Sequence, residues 1–158
     1  MGLLFIMRGI PSSGKTTTAL KLWNTLGNAV LCSADHYFGS NPEEYKANFH
    51  WSKLGAAHAA CMANAEGAIR QGSHVIVDNC NVKHEHYAPY VALAERSSYT
   101  PIIVESAWSE WLDRIKPAIL KGSREEQVAI AEECSNRNAY THGCPAHTIL
   151  KMMREWEA

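Results

Sequence analysis

Residues 9–16 read Gly-Ile-Pro-Ser-Ser-Gly-Lys-Thr and match the pattern Gly-x-x-x-x-Gly-Lys-Ser/Thr at every fixed position. An apolar run at residues 3–7 precedes this segment, and a stretch typical of a helix begins at Lys15. In that context the glycines let backbone amides surround phosphate oxygens, while the lysine and the threonine hydroxyl reach the β/γ-phosphates and Mg²⁺. The pattern therefore predicts a P-loop at the start of a helix, with ATP and Mg²⁺ as cofactors. The residues expected to bind the nucleotide are Gly9, Ser12, Ser13, Gly14, Lys15, Thr16 and Thr17.

Length and composition limit the class of protein. With 158 residues, 46% hydrophobic and 20% charged, the chain is expected to form a single globular domain over residues 1–158. No apolar run approaches the roughly 20 residues of a membrane helix, and residues 1–7 lead into the P-loop strand, so we expect a cytoplasmic protein without a membrane partner. The net charge of −1 argues against a protein that coats nucleic acid, but it allows an enzyme that contacts a few phosphates. The sequence predicts no oligomeric state.

Apolar runs alternate with longer helical stretches along the chain. Strands are expected at residues 3–7, 29–33, 74–78 and 100–105. Helices are expected from Lys15 onward and at residues 52–70, 83–97, 108–120, 123–137 and 145–157, with residues 39–50 forming a loop or short helical excursion. This order predicts a three-layer α/β P-loop fold with a mostly parallel sheet of four or five strands and a helical C-terminal lid region.

Two aspartates follow predicted strands, at the sheet edge where ligands of such folds bind. Asp78 ends the strand at 74–78, where P-loop proteins keep a carboxylate beside Mg²⁺, so Thr16 and Asp78 are the predicted metal residues. Asp35 follows the strand at 29–33 and could accept the proton of an attacking hydroxyl. The structural alternatives are a strand-end cap for Asp78 and an N-cap or Asx turn for Asp35.

A further positive charge is needed to stabilise a transferring phosphoryl group. The candidates in the helical C-terminal third are Arg114, Arg124 and Arg137. Arg137 lies late on a predicted helix, just before a break that contains glycine and proline, which is a suitable position for a lid residue. The alternative is a solvated ion-pair partner.

Aromatic residues gather near the predicted excursion, where they could stack on a base. These are Tyr37, Phe38, Phe49 and Trp51. The other tryptophans are expected to pack within the fold, with Trp23 in the core: Trp23, Trp108, Trp111 and Trp156.

The segments 8–17, 33–38, 75–81 and 137–145, taken in this order, resemble the polynucleotide-kinase branch of the P-loop kinases. That branch includes domains similar to those of the NEDD4-binding protein 2 group and phage DNA kinases. The resemblance implies that Asp35 is the general base, that Lys15 and Thr16 act on the phosphates and metal, and that Arg137 is the lid arginine. The chain departs from the family where an arginine often follows the aspartate, because Phe38 occupies the corresponding place.

These features together predict an ATP-dependent kinase that phosphorylates a hydroxyl of a nucleic acid or nucleotide, with the 5′-hydroxyl of a polynucleotide as the family's usual acceptor. The first alternative is a phage-type kinase that phosphorylates 5-hydroxymethyluracil in DNA. Two others remain open: a small-molecule kinase acting on a sugar or metabolite, and a nucleotide-dependent switch with little turnover.

Overall fold

The computed structural model describes all residues from 1 to 158. Its four strands are β1 (Gly2–Arg8), β2 (Ala29–Cys32), β3 (His74–Val77) and β4 (Tyr99–Glu105). They form one parallel sheet in the order β2-β3-β1-β4. The predicted α/β fold with a parallel sheet of four or five strands is therefore confirmed, and the sheet has four.

Alternation along β1 explains why helices cover both faces of the sheet. Leu4 and Ile6 point into a core formed with the helices α3 (Leu54–Arg70) and α4 (His84–Arg96). Phe5 and Met7 point to the opposite face, where the helix α1 (Lys15–Leu26) packs. Side chains of a strand alternate between faces, so one apolar run supplies both cores.

The strand register brings the carboxyl ends of the strands to one edge of the sheet. Ile6 of β1 and Cys32 of β2 both pair with Val77 at the end of β3. Arg8 of β1 pairs with Glu105 at the end of β4. The loops that follow the four strands therefore share this edge.

The C-terminal third is helical and packs on the P-loop. It contains α5 (Lys116–Lys121), α6 (Arg124–Asn138) and α7 (Ala146–Arg154), preceded by a π-helical turn over Trp111–Ile115. These elements bury a core that includes Trp111, Ile149 and, from the P-loop, Ile10. The predicted helix at 145–157 ends at Arg154, and the backbone of Glu157 instead bonds to the Arg8 side chain and the Val82 carbonyl.

The predicted excursion contains a short helix, α2 (Pro42–Asn48), between 3₁₀ turns at Ala34–Phe38 and Trp51–Lys53.

The prediction for Trp23 was wrong: it is 45% exposed, and its indole N–H donates to the Ala29 carbonyl. This hydrogen bond directs the indole to the start of β2 and away from the core. None of the helices combines the length and apolar composition that crossing a membrane requires.

Candidate active site

The P-loop backbone can only be built with glycine at a critical position. Gly14 has a φ of 82°, in the left-handed region, and a Cβ there would lie 2.8 Å from the Ser106 hydroxyl oxygen. A Cβ on Gly9 would lie 2.3 Å from the Ser13 hydroxyl oxygen. A side chain at either glycine would therefore collide with side chains that already pack against the loop.

The loop also has the features expected of a phosphate cradle. The Ser13 side chain is fully buried and its hydroxyl has no hydrogen-bond partner. Helix α1 begins at Lys15 and has no acidic residue in its first turn, so its free amides and dipole favour an anion. Thr17 is exposed on that same turn. These residues therefore fit a polyphosphate.

Lys15, Thr16 and Asp78 converge at the start of α1. The Lys15 ammonium lies 3.0 Å from Asp78 Oδ1, and the Thr16 hydroxyl donates to Asp78 Oδ2 at 2.8 Å. Burial is the largest influence on the pKa of Lys15 and lowers it, but Asp78, Cys80 and Asp35 together outweigh burial, so the pKa is raised. Lys15 therefore stays charged at neutral pH. A hydroxyl and a carboxylate are hard oxygen ligands of the kind that Mg²⁺ prefers.

The segment after β3 holds neighbouring loops in place. The Gly9 amide donates to the Cys80 carbonyl at 3.0 Å, and the Asn81 amide group donates to the Met7 carbonyl at 2.8 Å. The Ala34 amide donates to Asn79 Oδ1 at 2.9 Å. Residues 78–81 thus connect the P-loop to the turn that carries Asp35. The sequence analysis gave no role to Asn79, since its partner is distant in the chain.

Asp35 lies at the same edge, in the 3₁₀ turn after β2. Its backbone amide donates to the Ser33 hydroxyl at 3.2 Å, so Ser33, and not Asp35, caps the turn. The Asp35 carboxylate is half-exposed, and Nε2 of His142 lies 3.5 Å from its Oδ2. Burial lowers the pKa of Lys15, and Asp78 raises it most strongly. Asp35 raises it too, by a smaller effect. The two sites therefore lie within electrostatic reach of each other.

A cavity of about 200 Å³ opens beside Asp35. Its walls come from the excursion and from the chain between α6 and α7. The lining residues are Asp35, His36, Gly39, Ser40, Asn41, Pro42, Tyr45, Thr141 and His142. Neither lysine nor arginine is among them. Tyr45 had no predicted role, and His142 was named only within the segment 137–145 that resembles the family.

The Trp108 ring lies between Arg137 and the P-loop. Its guanidinium is 5.4 Å from the centre of the Trp108 ring, and a Cβ on Gly14 would lie 3.2 Å from Trp108 Cβ. One turn earlier on α6, the Cys134 carbonyl accepts a hydrogen bond from the Ser12 hydroxyl at 2.9 Å. Arg137 therefore stands beside the phosphate loop, although nothing in its local sequence identifies Trp108 as its neighbour.

In this structure Arg137 is also paired with acidic side chains. It donates to the Glu110 carboxylate, which Arg114 also contacts, and both arginines approach Glu133. The hydrogen bonds from Arg137 and Arg114 lower the pKa of Glu110. The third candidate, Arg124, begins α6 at the end opposite Arg137.

The structure divides the predicted aromatic group into two parts. Phe38 is 1% exposed and packs edge-on against Tyr45 and Phe49, so its predicted role in stacking on a base was wrong. It belongs to the core because the 3₁₀ turn directs it towards α3. Trp51 is 74% exposed and Tyr37 is 48% exposed, and both remain accessible.

The fold and the P-loop define a P-loop kinase-like α/β protein. A family model described as "AAA domain" matches residues 4–139, and the chain belongs to this family. Human NEDD4-binding protein 2 is similar, with 29% identity over 157 residues, which are 98% of this chain and 8% of that protein. The chain thus spans less than a tenth of this relative's length. These matches confirm the resemblance seen in the sequence.

Two solved structures share the fold. One chain of the Pnkp1/Rnl/Hen1 complex has a TM-score of 0.52 at 19% identity, covering 72% of this chain and 38% of that one. A protein from Chloroflexus aurantiacus, described as a presumed kinase, has a TM-score of 0.52 at 21% identity. The match covers 97% of this chain and 78% of the Chloroflexus chain. At these identities the similarity concerns the fold alone.

Proposed function

We propose that this protein is an ATP-dependent kinase that transfers the γ-phosphate of ATP to a hydroxyl of a nucleic acid or nucleotide. One observation carries the proposal. A half-exposed carboxylate, Asp35, lines a cavity on the same sheet edge as the P-loop residues Lys15 and Thr16. A phosphate cradle beside an available base and a cavity for an acceptor is the arrangement that phosphoryl transfer to an alcohol requires.

On the donor side, the P-loop amides and Lys15 bind the phosphates, and Thr16 and Asp78 hold Mg²⁺ directly or through water. ATP with Mg²⁺ supplies the phosphoryl group and neutralises part of its charge when bound. Asp78 keeps Lys15 charged and placed at the start of α1, at 3.0 Å. The fully buried Ser13 hydroxyl and the glycine-lined loop support this assignment.

On the acceptor side, Asp35 orients the hydroxyl and takes its proton at a carboxylate oxygen. Arg137 exchanges its contact with Glu110 for the transferring phosphoryl group, where its charge is most useful. Its place over Trp108, beside Gly14, makes that exchange a short movement. The C-terminal helices, which pack on Ile10, exclude water from one side of the P-loop.

The acceptor is proposed to be a 5′-hydroxyl end, as in the polynucleotide-kinase branch that the chain resembles. One observation favours a second candidate, a hydroxymethylated base such as 5-hydroxymethyluracil in DNA. The cavity beside Asp35 has no lysine or arginine in its lining, and Phe38, which replaces the family's arginine, is buried. A site without a cation suits an uncharged base better than an end phosphate, and the exposed Tyr37 and Trp51 could stack on it.

The test is transfer of radiolabelled γ-phosphate to a panel of acceptors. The panel contains 5′-hydroxyl DNA, 5′-hydroxyl RNA, hydroxymethyluracil DNA, nucleosides and sugars. Labelling of 5′-hydroxyl ends supports the first candidate, and labelling of duplex DNA only when hydroxymethyluracil is present supports the second. Labelling of sugars alone would indicate a metabolite kinase. ATP binding without transfer to any acceptor, and without hydrolysis, would indicate a switch and contradict the proposal.

A further inference from the structure

We propose that His142 is a positioning residue for Asp35, which it holds in the orientation that faces the acceptor cavity. The inference rests on the proposed function, in which Asp35 is the base. His142 Nε2 lies 3.5 Å from Asp35 Oδ2, and both side chains line the cavity. His142 belongs to the lid segment, residues 139–145 between α6 and α7, which is far from Asp35 in the sequence.

The lid segment is fixed at both ends. Asn138, which is buried, accepts a hydrogen bond at Oδ1 from the Cys144 amide at 2.7 Å, and its carbonyl accepts one from the Gly143 amide at 2.9 Å. The Lys46 ammonium of α2 donates to the Ala139 carbonyl at 2.8 Å. The position of His142 is therefore determined jointly by α6 and α2.

Packing also fixes the imidazole ring. Its centre lies 4.6 Å from that of Tyr45, which it meets edge-on. Tyr45 stacks on Phe49 at 5.3 Å and meets the buried Phe38 at 5.5 Å, so it belongs to a packed aromatic group. Such edge-on pairs favour one ring orientation. Nε2 of His142 is thus directed at Asp35 by neighbours that take no part in proton transfer.

Asp35 needs such a partner, because little else restrains its side chain. The Ser33 hydroxyl accepts a hydrogen bond only from the backbone amide of Asp35, and the Asp35 side chain is 47% exposed. A carboxylate that rotates freely presents an oxygen to the acceptor only part of the time. His142 meets only Oδ2, at 3.5 Å, longer than an ordinary hydrogen bond, so it restrains the carboxylate weakly and leaves Oδ1 available to the acceptor hydroxyl.

The experiment compares His142→Phe with His142→Gln, using the best acceptor from the panel above. Phenylalanine keeps the edge-on packing on Tyr45 but removes the donor, whereas glutamine keeps a donor at similar reach. We expect His142→Phe to lower kcat about tenfold with an unchanged KM for ATP, and His142→Gln to recover most of the loss. The matched control is His147→Phe, an exposed histidine on α7, which should retain wild-type transfer.

A second comparison separates this inference from the proposed function. In an Asp35→Asn background, His142→Phe should cause no further loss, because a residue that acts through Asp35 has nothing left to position. Equal rates for the phenylalanine and glutamine variants, or the same tenfold loss in the Asp35→Asn background, would overturn the role of His142. Full transfer by Asp35→Asn would instead overturn the proposed function.

Discussion

Arg137 offers a sharp test, because its structural and functional contributions differ in size. Its structural contacts are ion pairs with Glu110 and Glu133 and the face of the Trp108 ring, and its side chain is 38% exposed. Screened surface contacts of this kind contribute about 1 kcal/mol together. For a chain of this length Arg137→Gln should therefore lower the Tm by about 2–4 °C.

The expected loss of activity is much larger. Removing a charge that stabilises the transferring phosphoryl group costs roughly 10²–10³ in kcat, or about 2.7–4 kcal/mol. A stability loss of about 1 kcal/mol cannot produce this effect, since domains with 5–15 kcal/mol of stability remain folded at about 25 °C. Transfer of labelled γ-phosphate at saturating ATP measures kcat, and calorimetry measures the Tm.

Arg114→Gln is the matched control, because Arg114 shares both acidic partners, Glu110 and Glu133, with Arg137. It should lower the Tm by a similar amount. Because it removes only a stabilising contact, its kcat should stay within about twofold of the wild-type value. The lid role of Arg137 is refuted if the two variants lose equal activity. It is also refuted if Arg137→Gln keeps more than about a third of the wild-type kcat, because removing a stabilising charge should leave about a hundredth or less.

Three further predictions concern the metal residue, the core and a thiol. Thr16→Val keeps the side-chain shape but removes the hydroxyl that binds Asp78, so half-maximal transfer should need more Mg²⁺; an unchanged requirement in a Mg²⁺ titration contradicts the metal role. Phe38→Ala empties a buried position and should cost ~3–5 kcal/mol in urea unfolding, whereas a loss below about 1 kcal/mol would mean that the aromatic group is loosely packed. Burial raises the pKa of Cys144 to about 11. Because only the thiolate is alkylated, its reaction with iodoacetamide, followed by mass spectrometry, should rise about tenfold per pH unit from pH 7 to about 10, and a plateau near pH 9 would contradict this.

Local patterns were sufficient for most of the fold. Each predicted strand is present within two residues at either end, because a buried parallel strand is a continuous apolar run between turn signals. The P-loop could be located because its backbone requires glycines, as the φ of Gly14 confirms. The carboxylates Asp35 and Asp78 could be placed at one edge because parallel strands end together.

Contacts between distant segments could not be predicted in this way. The pairing of Asp35 with His142 and the stacking of Arg137 on Trp108 each join loops that leave no periodic pattern in the sequence. Trp23 was assigned to the core because large aromatic rings on helices are usually buried. Its hydrogen bond to the Ala29 carbonyl directs the ring along the surface instead. Such outcomes depend on a single tertiary partner.

The central claim is that Asp35 is the general base of a kinase whose P-loop binds ATP independently of it. The most direct measurement is made on Asp35→Asn, with the dissociation constant of ATP and the rate of γ-phosphate transfer determined on the same preparation. We expect transfer to fall roughly 10²–10⁴-fold, while ATP affinity changes less than about twofold. Retained transfer, or an equal loss of ATP affinity and transfer, would contradict the claim.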